Sequence, residues 1–155
     1  MTRDAIKQTI DDFLLLIEKG YESSDSNESH LKLLLDKLAI AQHFASYEFD
    51  ERDYPEAPKT GDILALVKKR FPNYGYYNVA EDVLTAGKGS AIVGDAIDDI
   101  TDIALDLFET KWRWENNSVE DGLWHFKNHF EIHWARHLRE LQLYLLNLEL
   151  SKKLD

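Results

Sequence analysis

Cysteine is absent from all 155 residues, which removes disulfide frameworks, thiolate zinc sites and cysteine nucleophiles together. Nothing therefore points to an oxidising compartment. Three prolines and seven glycines are too few for a collagenous or disordered chain. Long apolar runs are missing as well: the stretch from Phe13 to Ile17 is flanked by Asp11, Asp12 and Glu18, too short and too charged for a secretory leader or a membrane span. The expectation is a cytoplasmic protein that does not enter a membrane. Positive charge is scarce too. Against 29 Asp+Glu stand only 18 Lys+Arg, a net charge of −11, which argues against binding nucleic acid or anionic lipid through bulk charge.

What is present is an ordered globular composition, 44% hydrophobic and 12% aromatic, in a chain long enough to bury about two-thirds of its unfolded surface. Apolar residues at Ile6, Ile10, Phe13, Leu14 and Ile17 recur at helical spacing, with Gly20 as a stop. Leu31, Leu34, Leu35, Leu38 and Ala41 begin a second helix, capped by Ser26 or Ser29 and reaching about Phe49. Residues 48–61 hold two of the three prolines among several acids and read as a long acidic loop. Thr60 or Asp62 caps a short third helix, which the Phe71-Pro72 step ends. Tyr74-Gly-Tyr-Tyr-Asn-Val79 has the composition of a strand but no evident partner, and reads as an extended aromatic connection laid across the helices. A fourth helix is predicted from Ser90 to about Trp112, and a fifth from a Ser118 cap to about Leu150, with no internal breaker after Gly122. The expected fold is all-α: a single helical domain, residues 1–155, built as a bundle of about five helices.

Charge is unevenly placed. Residues 81–110 contain eight acids and one base, whereas residues 111–155 contain seven of each. On the fourth helix Asp95, Asp98, Asp99, Asp102, Asp106 and Glu109 fall within an arc of about 100°, opposite Ile97, Ala104 and Phe108. The plain expectation is a solvated outer face. Six acids without an interleaved lysine repel one another at these spacings, however, so a metal ion, a basic partner or basic residues of the chain should lie close by.

Four of the six histidines, His125, His129, His133 and His137, follow one another at steps of four on the last helix. In a regular helix each step turns about 40°, giving a slanting stripe in which only neighbours can share a metal. On the apolar face centred on Phe130 and Leu148, His137 is expected deepest and His133 at the edge, with His129 and His125 toward solvent. His133 and His137 form an i,i+4 pair to which His43 on the second helix adds a third imidazole, a candidate set for a divalent transition metal. The sharper signatures fail. There is no Glu-x-x-His pair, no H-E-x-x-H, no complete phosphate loop and no G-x-S-x-G elbow.

Three segments together, Phe71-Pro-Asn-Tyr-Gly-Tyr-Tyr-Asn-Val79, Asp99-Ile-Thr-Asp-Ile-Ala-Leu-Asp-Leu107 and Phe130-Glu-Ile-His-Trp-Ala-Arg-His-Leu138, resemble a bacterial family of uncharacterised proteins, domain of unknown function 5063. The resemblance spans about the last half of the chain. It implies a grouping of Tyr76, Tyr77, Asp99, Asp102, Asp106, Phe130, Glu131, His133, Trp134, His137 and Leu138, with Ala135 where a glycine is commoner, and it implies no activity. If the fourth and fifth helices pack antiparallel, Asp99 or Asp102 approaches His133 or His137, with Tyr76 and Trp134 bordering the same groove. Two functions compete. The leading one is a small cytosolic interaction or regulatory module, of the antitoxin or immunity kind, whose acidic face engages a basic protein partner. The other is a metal-dependent hydrolase that uses the His/Asp groove.

Overall fold

Helix α1 (Arg3–Glu18) starts where the Thr2 hydroxyl accepts the Ala5 amide hydrogen bond, and buries Ile6, Ile10, Phe13, Leu14, Leu16 and Ile17 in a computed structural model that describes residues 1–155. Its final carbonyls, which have no partner within the helix, are taken up by Arg70: Nη2 donates to Ile17 O at 3.2 Å and to Glu18 O at 3.1 Å. Helix α2 (Ser24–Phe44) is capped by Ser23, ahead of the expected Ser26 or Ser29. Ser26 instead supplies the amide that Ser23 caps, at 3.1 Å.

The long acidic loop that follows is fastened to the far end of the molecule. The Glu48 amide donates to Glu120, Arg52 Nη1 donates to Asn117 O at 2.8 Å, and the Ser118 hydroxyl donates to Asp50. Helix α3 (Ile63–Arg70) has its cap at Asp62 and ends at Phe71.

The aromatic connection is a β-strand, and the expected pure helical bundle is corrected accordingly: a mainly helical fold carries a two-stranded sheet. Strand β1 (Tyr76–Ala80) pairs antiparallel with β2 (Ala91–Asp95), Tyr76 opposite Asp95 and Asn78 opposite Val93. Val79 pairs with Ile92 across the ladder, and Tyr77 lies opposite Gly94. The link between them is held by Asp82, whose carboxylate accepts the Leu84 and Thr85 amides. It is also held by Gly89 at φ +81, where a Cβ would lie 3.1 Å from the Asp82 backbone. The stretch from Ser90 to Asp95 was readable as helix because Val93 and Ile97 share a helical spacing, yet helix α4 (Ala96–Asn116) begins only after Asp95, which caps it by accepting the Ile97 amide at 2.9 Å.

Helix α4 is the middle of the molecule, packed by α1 and α3 on one side and by the last helix on the other. That last helix is one continuous rod in three parts: α5 (Val119–His129), a π-helical turn (Phe130–Trp134) and α6 (Ala135–Leu154). Within the turn the Ala135 amide bonds Phe130 O, an i→i+5 step that inserts one extra residue per turn. At the α4–α5 corner Gly122 permits close approach: a Cβ there would sit 2.7 Å from Trp114 Cβ and 2.9 Å from its Cα. The buried core draws on all the main helices, with Phe13, Phe71, Phe126 and Trp134 as its largest fully enclosed side chains.

Candidate functional site

A polar seam runs the length of the contact between α4 and the rod that follows it. The two are antiparallel, so their side chains meet in reversed order. Arg113 reaches Asp121, Thr110 reaches His125, Asp106 reaches His129 and His133, and Asp99 reaches His137. The acidic stripe is therefore not a solvated outer face. Asp99 and Asp106 are buried, Asp102 and Glu109 are partly so, and Asp98 remains exposed. The carboxylates lie inward because four imidazoles face them.

The π-turn is what lets four histidines do this. Steps of four residues overrun a regular 3.6-residue turn and drift around the helix. The wider turn between His129 and Ala135 absorbs the excess, so His133 and His137 return to the face that His125 and His129 began. The expected order of depth does not hold, since His125, expected toward solvent, is the deepest, and His137 is no deeper than His129. His125 is enclosed at 1% exposure, His129 and His137 are half-buried, and His133 is the most open.

At the hairpin end, His137 Nδ1 donates to Asp99 Oδ1 at 2.7 Å, while its Nε2 stands 3.4 Å from Asp102 Oδ2. Asp99 also accepts the Tyr77 hydroxyl, and Tyr77 is stacked on Tyr144 with ring centroids 4.7 Å apart. The hydrogen bond that His137 donates to Asp99 raises its pKa above the usual histidine value, against burial, which lowers it. Burial raises the Asp102 carboxyl, although His137 and His133 pull it down. Tyr77 is driven well above the ordinary tyrosine range by burial and by Asp99.

In the middle, the two Asp106 oxygens are divided between two rings: Oδ1 accepts from His129 Nδ1 at 2.9 Å and Oδ2 from His133 Nδ1 at 2.6 Å. At the inner end, the Thr110 hydroxyl donates to Asp106 O at 2.9 Å and so accepts from His125 Nδ1, also at 2.9 Å. That places the proton on Nδ1 of His125 and leaves Nε2 as a lone pair. Burial and the adjacent His129 hold the His125 pKa down at about 4, so the ring is neutral at physiological pH. Beside it Glu109 is pushed up by burial but held below the usual carboxylate range overall by its Arg113 hydrogen bonds, at 2.7 and 2.9 Å, and by the histidines.

No family model, curated protein or solved structure matches this chain.

Its chemistry is therefore read from the seam itself. Two sets of side chains bring one ligand atom each to within 4.8 Å of one another: Asp102, His133 and His137, and Asp106, His125 and His129. His43 belongs to neither set and is exposed near the end of α2; Asp102, one turn from Asp99 on α4, stands in the third place instead. Three of the other expected groove residues are elsewhere. Tyr76 is 76% exposed, Trp134 is enclosed in the core against Phe126 and Phe130, and Glu131 faces outward, 3.6 Å from Lys127. Trp134 follows His133 by one residue, about 100° round the helix, and so joins the row of Phe126 and Phe130 on the core face. No helix is long and apolar enough to cross a membrane.

Proposed function

We propose that this protein binds a divalent transition metal between Asp102, His133 and His137 and uses it in hydrolysis. The observation that carries the reading is the environment of His137. Its Nδ1 proton is fixed by Asp99, Asp99 is fixed in turn by Tyr77, and Nε2 is presented toward Asp102 at 3.4 Å. A carboxylate that orients a histidine from behind is the usual support of a metal-ligating imidazole, since it sets the tautomer and raises ligand basicity. Two imidazoles and one carboxylate match the three-protein-ligand sites that leave a further position for water. A metal held there supplies Lewis acidity and lowers the pKa of a water. His133, the most open ring of the four, puts the centre within reach of solvent and substrate.

Docking of a basic partner draws less support, because Asp99 and Asp106 are buried and committed to histidines. The test is elemental analysis of untagged protein together with a panel of activated esters and phosphoesters. About one metal or more per chain and turnover abolished by chelation are expected, with turnover and the metal of this site lost in His137→Ala. A wild-type protein that takes up no metal from zinc, manganese, nickel or iron solutions would overturn the proposal.

A further inference from the structure

We propose that Asp106, His125 and His129 form a second metal site, joined to the first through the Asp106 carboxylate, so that the seam holds a pair of metal ions. The inference deepens the proposed function and rests on the reading of the seam as a metal centre.

His125 is the observation that points to a ligand. Its ring is 1% exposed, its Nδ1 proton is committed to Thr110, and its Nε2 has no hydrogen-bond partner. A buried polar atom left unpaired costs about 1–3 kcal/mol, and native structures rarely tolerate one without a use for it. A neutral imidazole Nε2 whose Nδ1–H is held by a neighbour is the form in which histidine ligates metals. This atom has not been spent on the nearest carboxylate. Glu109 Oε1 stands 3.4 Å away, but it is already taken by two Arg113 donors.

The other two ligands are in place around it. His129 is stacked on His125 with centroids 3.8 Å apart and planes inclined by 18°, so the two rings lie alongside. Asp106 is 2.9 Å from His129 Nδ1. The ligand atoms of the set lie within 4.8 Å of one another; tetrahedral ligands on bonds of 2.0–2.2 Å stand about 3.4 Å apart, so closure needs only small side-chain rotations. Asp106 is also the link between the sites, since its second oxygen accepts the His133 Nδ1 proton at 2.6 Å and so orients from behind an imidazole of the first set, leaving that ring's Nε2 for metal. A cavity of about 510 Å³, with Phe108, Trp112 and the loop at Pro58 on its walls, reaches the edge of the set at Asp106 and Glu109, while the two histidines lie outside its lining.

The experiment is zinc titration of the untagged full-length chain, stripped of metal beforehand, by calorimetry, with metal counted after gel filtration and folding checked by circular dichroism. Two zinc ions per wild-type chain are expected, and one each in His129→Ala and His137→Ala. His129 is half-buried and on the rim of the seam, so its loss leaves the core intact; His125→Gln, which enters the core, is a second variant with the same expected loss. One zinc per wild-type chain that disappears in His137→Ala but persists in His129→Ala would overturn the second site and leave the proposed function standing. One zinc that disappears in His129→Ala but persists in His137→Ala would support the second site and overturn the first. Two zinc ions that both survive His129→Ala, or no zinc at all, would overturn the pair.

Discussion

Asp99 receives two donors, the Tyr77 hydroxyl and His137 Nδ1, at 5% exposure. Removing the carboxylate strands both donors, whereas removing the Tyr77 hydroxyl strands one acceptor that keeps its other bond. Asp99→Ala is therefore expected to lower unfolding free energy by about 2–3 kcal/mol and Tyr77→Phe by about 1 kcal/mol, measured by urea denaturation of metal-free protein. His125 and His137 give the metal-free protein opposite responses to pH. His125 titrates at about 4 when folded against 6.5 ordinarily, so between those values the unfolded chain binds the extra proton and stability falls as pH falls. His137 is raised; its contribution is complete below pH 6.5 and is lost as pH rises through the folded value. Urea midpoints recorded from pH 7 to pH 4 should drop steeply, and His125→Gln should flatten that slope.

At the scale of elements, the π-turn determines which face of α6 meets α4. Ile132 lies within it at 72% exposure and contributes nothing to the core. Deleting Ile132 removes the extra residue that the wide turn absorbs, so ordinary helical winding there should leave His137 facing Asp99 and Leu138, Leu141 and Leu145 in the core. Hydrogen-exchange protection of α6 should therefore survive the deletion, as it should survive replacement of Ile132 by Ala; collapse of that protection on deletion would contradict it. Much of the element list was legible. The caps at Asp62 and Ser118 and the stop at Phe71-Pro72 announce themselves through residue type. The meeting of α4 acids with last-helix histidines followed from antiparallel packing. Strand β2 was hidden because Val93 and Ile97 satisfy a helical period, and pairing with Tyr76–Ala80 is a non-local event that a window along the chain does not contain. The π-turn was hidden for a related reason: a 3.6-residue wheel assumes the winding it is meant to detect. The three steps of four residues were its signal, since that spacing holds one face only if the helix widens.

Across the whole molecule, α4 divides an apolar half from a polar one: Ile100, Ile103 and Leu107 go to the core while Asp99, Asp102, Asp106 and Glu109 go to the seam. A net charge of −11 with carboxylates concentrated in one contact means that bound cations stabilise the entire fold, not one corner of it. A ligand present at a thousand times its dissociation constant adds about 4 kcal/mol, which for a chain of this size is a rise of about 10 °C in melting temperature. Saturating zinc should produce a rise of that order in wild-type protein and a smaller one in His137→Ala. Calorimetric melts that do not move with zinc would contradict it.

The reversed order of the seam also has a kinetic meaning. Its partners lie 8 residues apart at Arg113–Asp121, 15 at Thr110–His125, 23 at Asp106–His129 and 38 at Asp99–His137, a ladder whose rungs close progressively larger loops away from the bend at Asn117. Loop closure is least costly nearest the bend, so the α4–α5 hairpin is positioned to zip outward, with the Tyr77 latch engaging last. Stopped-flow measurements should then find that Thr110→Val slows folding, whereas Asp99→Asn chiefly speeds unfolding.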